Sequence, residues 1–116
     1  MVTSSLRAVL ERGYGAGELT GDDVVSGSAE HPICGDRVQL SVQMAPGLVR
    51  AVRWRASGCP ASMAIAALAA EVLLDVAVLD LDATLRQAIG KHGGLARHEH
   101  HAESMVLRAL HEAIGS

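Results

Sequence analysis

The sequence predicts an α+β fold, a small antiparallel β-sheet followed by helices that pack on one of its faces. Three observations carry that expectation. Residues 37–44, RVQLSVQM, alternate apolar and polar side chains at period two. A turn at 45–47, APG, joins them to a second alternating run at 48–56. From Pro60 onward the pattern becomes Ala-rich and apolar almost all round, as in a buried helix.

Taken in order, SSLRAVLER at 4–12 reads as a short helix with Ser4 or Ser5 as its cap, Leu6, Val9 and Leu10 as its apolar stripe, and Gly13 as its stop. The Gly-rich polar stretch that follows reads as a loop containing a short third strand near 22–27. In the strand 37–44, Val38, Leu40, Val42 and Met44 share the buried face; in the strand 48–56, Leu48, Val52 and Trp54 share it while Arg53 and Arg55 turn away. A helix is expected over 60–78, with Pro60 at the first helical position, where its missing N–H costs nothing. A second helix is expected over 80–90, capped by Asp80 or Asp82 and stopped by Gly90. The last helix starts near His101, with Val106, Ala109, Leu110 and Ala113 on one face.

At 116 residues the chain is expected to form a single domain, 1–116, that buries roughly two-thirds of its unfolded surface. Almost half of the residues are hydrophobic, yet there is no Phe, one Trp and one Tyr, so the core must be built from Ala, Val, Leu, Ile and Met. A net charge of −3 and the lack of aromatic platforms exclude an electrostatic nucleic-acid binder. The longest apolar run, 56–70, is interrupted by Gly58 and Pro60 and too short to span a bilayer, and the N-terminal residues show no apolar signal segment, so a soluble, cytoplasmic protein without membrane contact is expected.

Three short stretches carry chemistry. In HPICGDR, 31–37, Cys34 and Asp36 stand two apart where a turn becomes a strand, which lets a thiolate and a carboxylate face one cation; a plain turn with a buried Cys and a capping Asp fits the same residues. In SGCPAS, 57–62, Cys59 falls at the helix N-cap, where the positive end of the helix favours a thiolate; a Cys buried at a strand-to-helix junction is the alternative. In ARHEHHAES, 96–104, adjacent imidazoles cannot all face one ion, so His101 at the helix start is the candidate ligand, with His100 and His98 as alternates; a solvated His-rich loop is the alternative. If these junctions meet, Cys34, Asp36, Cys59 and His101 form a tetrahedral set for zinc that is also soft enough for iron and sulfide.

PICGDRVQLSV followed by SGCPASMAIAAL resembles the NifU, IscU and SufU scaffold proteins of iron-sulfur cluster assembly, from about Gly27 to Ala70 and more loosely through the last helix. The resemblance implies a SufE/NifU-like fold and a non-enzymatic role as a scaffold or sulfur-relay protein, holding zinc, iron or a [2Fe-2S] cluster at Cys34, Asp36, Cys59 and a His from the 98–101 group. It also implies a cysteine desulfurase and apo iron-sulfur acceptor proteins as partners. The third Cys of the family falls at Ala102 in a gapless placement, or at His101 after a shift of one residue; either way the thiol is missing, so Cys34 and Cys59 are the sulfur-acceptor candidates. The Leu-Pro-Pro-Val-Lys stretch of IscU-type members is absent, as is the insertion of SufU-type members before their third Cys. An alternative of another class is a degenerate zinc-binding module that docks on a cysteine desulfurase or Suf-type complex without building clusters. An open zinc site for catalysis, with Glu99 or Glu103 as base, is disfavoured because Asp36 would close it.

Overall fold

The computed structural model describes residues 2–33 and 35–115. The element order is α1 (Ser4–Arg12), β1 (Val24–Glu30), β2 (Arg37–Ala45), β3 (Leu48–Ser57), α2 (Pro60–Val72), β4 (Val76–Ala77), α3 (Leu81–Lys91) and α4 (His100–Ile114), with single 3-10 turns at Val78–Asp80 and Arg97–Glu99. The four strands form one antiparallel sheet in the order β1-β2-β3-β4. This is the expected α+β architecture, with α2 and α4 on one face of the sheet and α1 and α3 packed against α2. No helix among the described residues is long and apolar enough to cross a membrane.

The strand alternation behaves as its period demands for most of its length. Val38, Leu40 and Val42 of β2 and Val52 and Trp54 of β3 are buried under the helices, while Arg53 and Arg55 turn to the other face. The parity breaks near the turn. Gln43 pairs with Ala51 but Met44 pairs with Val49, so Arg50 is an extra residue in β3 and the chain beyond it is flipped. Val49 therefore enters the core where the sequence pointed to Leu48, which is only half-buried.

Other boundaries moved for identifiable reasons. Thr3, not Ser4 or Ser5, caps α1, accepting a hydrogen bond from Leu6 N at 3.1 Å; Gly13 ends the helix as expected. The third strand is not a short piece near 22–27 but runs to Glu30, because every residue from Val24 to Glu30 finds a partner on β2. The helix expected over 60–78 stops at Val72: Asp75 turns the chain through a left-handed conformation, φ 58°, and Val76–Ala77 then adds to β3 as β4. Arg50, the bulged residue, meets Asp75 at 2.9 Å across that junction. Helix α3 passes through Gly90 to Lys91, with His92 as its C-cap and two glycines after it, because Gly90 is tolerated inside a helix that Leu85 and Ile89 anchor to the core. Asp80 precedes it without a side-chain cap, and Asp82 bonds His111 at 2.8 Å instead.

Helix α2 is buried on almost every side by α1, α4 and the sheet, and its six buried alanines, Ala61, Ala64, Ala66, Ala67, Ala69 and Ala70, let these neighbours approach closely. Helix α4 crosses β1 over Gly27: a Cβ there would stand 2.2 Å from the Ala109 carbonyl oxygen and 2.5 Å from Ala113 N. The predicted face of α4, Val106, Ala109, Leu110 and Ala113, is buried, extended by Ala102 and Met105. Through these contacts the β1–β2 loop, the start of α2 and the start of α4 come together at one end of the sheet.

Candidate metal centre

The β1–β2 loop, residues 31–36, is closed by its own backbone. His31 N–H donates to the Asp36 carbonyl at 2.9 Å, and Gly35 N–H donates to the His31 carbonyl at 2.8 Å. The loop thereby delivers Asp36, almost fully buried at 2% exposure, under the first turn of α2. Its Oδ1 accepts from Cys59 N–H at 3.0 Å and its Oδ2 from Ser62 Oγ–H at 3.2 Å. Gly58 makes this approach possible: its φ is +106°, and a Cβ on it would lie 2.3 Å from Asp36 Oδ1.

Cys59 is the N-cap of α2, as the sequence indicated, with Pro60 beginning the helix. Its thiol makes no capping hydrogen bond and is half-buried, opening on a cleft of about 420 Å³ lined by Val2, Arg7, Leu10, Pro60, His98 and Glu99.

The start of α4 supplies the third group. His101 Nδ1–H donates to the His98 carbonyl at 3.1 Å, which fixes the ring and aims Nε2 at Asp36 Oδ2, 3.0 Å away. A histidine oriented through one nitrogen by a backbone carbonyl, with the other nitrogen presented inward, is the arrangement that metal-binding histidines use. Ligand atoms of Asp36, Cys59 and His101 all lie within 4.8 Å of one another. Burial pushes the Asp36 carboxyl up, but hydrogen bonds from Cys59 N–H, His101 and Ser62 outweigh it and hold the carboxyl below the usual carboxylate range.

Of the residues singled out from the sequence, three are therefore assembled: Asp36, Cys59 and His101. Cys34 lies outside the described residues. The alternates take other positions. His100 Nε2 bonds the Leu95 carbonyl at 3.2 Å, and His98 offers its carbonyl to His101 while its side chain lines the cleft. Ala102 is fully buried on the core face of α4, so His101 is the residue of this turn that reaches Asp36. Glu99 accepts from Ala96 N–H at 3.0 Å, and Glu103 meets Arg86 at 3.6 Å.

Two contributors escaped the sequence reading. Ser62 donates to Asp36 from one turn into α2; its place three residues after the N-cap was the available signal. His31 packs its ring against that of His101, with centroids 4.8 Å apart and planes tilted by 57°. Nothing in its spacing announced that, beyond its position at the head of the Cys34–Asp36 turn.

The chain matches the family model of the NifU-like N terminal domain over residues 11–116. Among solved structures, it is similar to a nitrogen-fixing NifU-like protein (N-terminal) from Brucella abortus, with TM-score 0.75 and 17% identity, covering 97% of this chain and 90% of that one. It is also similar to a protein assigned as an iron-sulfur cluster assembly scaffold for the SUF system from the thermophile Fervidobacterium islandicum AW-1, with TM-score 0.64 and 12% identity, covering 88% and 79% of the two chains. At these identities the likeness is one of fold. Among curated proteins, none matches the chain.

Proposed function

Because the chain belongs to the NifU-like N-terminal domain family, we propose that it is a scaffold or sulfur-relay protein of iron-sulfur cluster assembly, carrying zinc, iron or a [2Fe-2S] cluster as cargo. The observation that carries this reading is the convergence of Asp36, Cys59 and His101 donor atoms within 4.8 Å at the meeting of a hairpin loop and two helix starts.

The donor chemistry fits such a cargo. A thiol, a carboxylate and an oriented imidazole suit zinc and iron alike, and Cys34, two residues before Asp36 in the sequence, completes a set of four. Gly58 leaves the space that the Asp36 carboxylate occupies, and a side chain there would displace it. Asp36 is a hard ligand already engaged by Cys59 N–H and Ser62 Oγ–H. It can release a soft metal more readily than a third thiolate would, which suits a site that hands its cargo on. The cleft beside Cys59 gives an incoming sulfur donor a path to that thiol, so Cys59 joins Cys34 as sulfur acceptor, with a cysteine desulfurase and apo iron-sulfur proteins as partners. The role is non-enzymatic. Glu99 and Glu103, the nearest carboxylates on α4 and the turn before it, are engaged with Ala96 N–H and Arg86.

Metal analysis of the purified protein tests this directly: about one zinc or iron per chain is expected, falling sharply in Cys59→Ser and Cys34→Ser. Unchanged metal content in both variants would sink the reading. Anaerobic reconstitution with iron, sulfide and a desulfurase then separates its two forms. A visible cluster chromophore marks a scaffold; retained zinc with no chromophore marks a zinc-bearing docking module.

A further inference from the structure

We infer that Glu99 is a positioning residue of this centre, holding the His101 ring in place through the turn that precedes α4; the inference rests on the metal-binding reading above. Glu99 is a carboxylate with 3% exposure, and burying such a group costs free energy unless hydrogen bonds replace its water. It is not a ligand, since its oxygens are not among the donors that converge. It stands at the N-cap of α4, where a side chain ordinarily reaches forward to the first N–H groups of the helix. Glu99 makes no such bond and reaches back instead, its Oε1 accepting from Ala96 N–H at 3.0 Å.

The backward bond closes a small ring. Glu99 N–H donates to the Ala96 carbonyl at 2.8 Å, so the backbone and side chain of Glu99 together hold both backbone polar groups of Ala96. Arg97 and His98 are fixed between them in a single 3-10 turn. From that turn the His98 carbonyl meets His101 Nδ1 at 3.1 Å. A carbonyl can only accept, so Nδ1 carries the proton and Nε2 is the nitrogen turned to Asp36 Oδ2, 3.0 Å away. A chain of contacts thus runs from the buried carboxylate, through the turn, to the imidazole that faces the other donors. Placed here, Glu99 does what a helix cap would not: it fixes the carbonyl that fixes the ring.

Zinc affinity of the full chain, measured by competition with a chromophoric chelator, should fall by about 10- to 100-fold in Glu99→Ala, as for residues that orient a ligand from behind. Glu99→Gln keeps an acceptor for Ala96 N–H and should bind zinc nearly as wild type does. Ala96→Pro removes the donor of the same bond, at a φ of −66° that proline adopts, and should weaken zinc binding as Glu99→Ala does. It carries the test where Glu99→Ala does not fold. In a His101→Ala background the loss from Glu99→Ala should shrink to almost nothing, because the effect travels through that ring. A merely structural role would lower affinity equally in both backgrounds. In the metal-free protein, the ¹H–¹⁵N signal of His101 Nδ1–H should exchange slowly with water in wild type and Glu99→Gln and be lost in Glu99→Ala. Unchanged affinity in Glu99→Ala, equal losses with and without His101, or a Glu99→Gln as weak as Glu99→Ala would each overturn the inference and leave the metal-binding reading standing. If zinc binding is untouched by Cys59→Ser, the metal-binding reading itself falls, and the inference with it.

Discussion

The two ends of helix α2 are held by different physics. From Ala64 to Ala70 the helix is apolar on nearly every side, wedged between the sheet, α1 and α4, with Ile65, Leu68 and the capping Leu73 fully buried. At its first turn Pro60 is exposed and Met63 half-buried, and the buried contact is polar: Ser62 is fully buried and donates to a carboxylate with 2% exposure. The body is stabilised by area removed from water, which is insensitive to direction. The tip depends on directed hydrogen bonds, since a buried polar group left without a partner costs free energy. No buried side-chain nitrogen or oxygen among the described residues lacks a partner, so the tip's polar groups are matched despite being drawn from three separate elements. The contrast teaches that the body can be altered at the expense of stability alone, whereas the tip couples stability to the geometry of the converging donor groups.

Leu68→Ala should sharpen this contrast with the largest effect, a loss of roughly 2–5 kcal/mol from the transfer and cavity terms. Denaturant unfolding followed through Trp54, itself buried with its indole N–H bonded to the Tyr14 carbonyl at 2.8 Å, measures it. Zinc stoichiometry under native conditions should not change. A change in stoichiometry would break the separation between body and tip.

Asp36→Asn strikes the tip. Replacing an acceptor of hydrogen bonds from Cys59, Ser62 and His101 by an amide should destabilise the metal-free protein by about 1–3 kcal/mol near neutral pH. The sign of its pH dependence follows from the depressed folded-state ionisation of Asp36. Stability from such a group is fully present above its unfolded value, about 3.9, and is lost as pH falls through the lower folded value. The gap between wild type and Asp36→Asn should therefore be constant near neutrality and close below about pH 4, read from urea midpoints across that range. A gap that widens on acidification would contradict the assignment.

Ser62→Ala removes a hydrogen bond behind the Asp36 carboxylate rather than one of the three converging donors. Zinc affinity should fall by about 10- to 100-fold with near-native secondary structure, measured by competition with a chromophoric chelator. Arg50→Ala, at the far edge of the sheet, deletes an exposed pair with Asp75 and should change stability by less than about 1 kcal/mol and zinc binding not at all.

Much of the fold was legible because its signals are local. The alternation in 37–44 and the Cys59–Pro60 junction each depend on neighbours within a few residues, and β2 and the start of α2 formed where those patterns lie. The errors came where a long-range partner overrode a local pattern. The bulge at Arg50 is an arrangement between two strands, and the early end of α2 comes from Val76 and Ala77 finding β3. The length of β1 was set by β2, since VVSGSAE has little strand character of its own.

The site divides in the same way. Residue type and junction position singled out Asp36, Cys59 and His101, because a donor at a helix start or strand entry has a recognisable sequence context. Their convergence joins positions 65 residues apart, as between Asp36 and His101, and no periodicity encodes that distance. The packing of α4 over Gly27 and of α2 against the sheet decided that His101, rather than His98 or His100, meets the carboxylate, and that His31 lies beside it. By itself the sequence determined the element types, the Ala-rich core and the inventory of donors, since these follow from short-range periodicity and side-chain chemistry. Which donors face one another was decided only by the tertiary structure, because that depends on how close the helix and strand backbones can come.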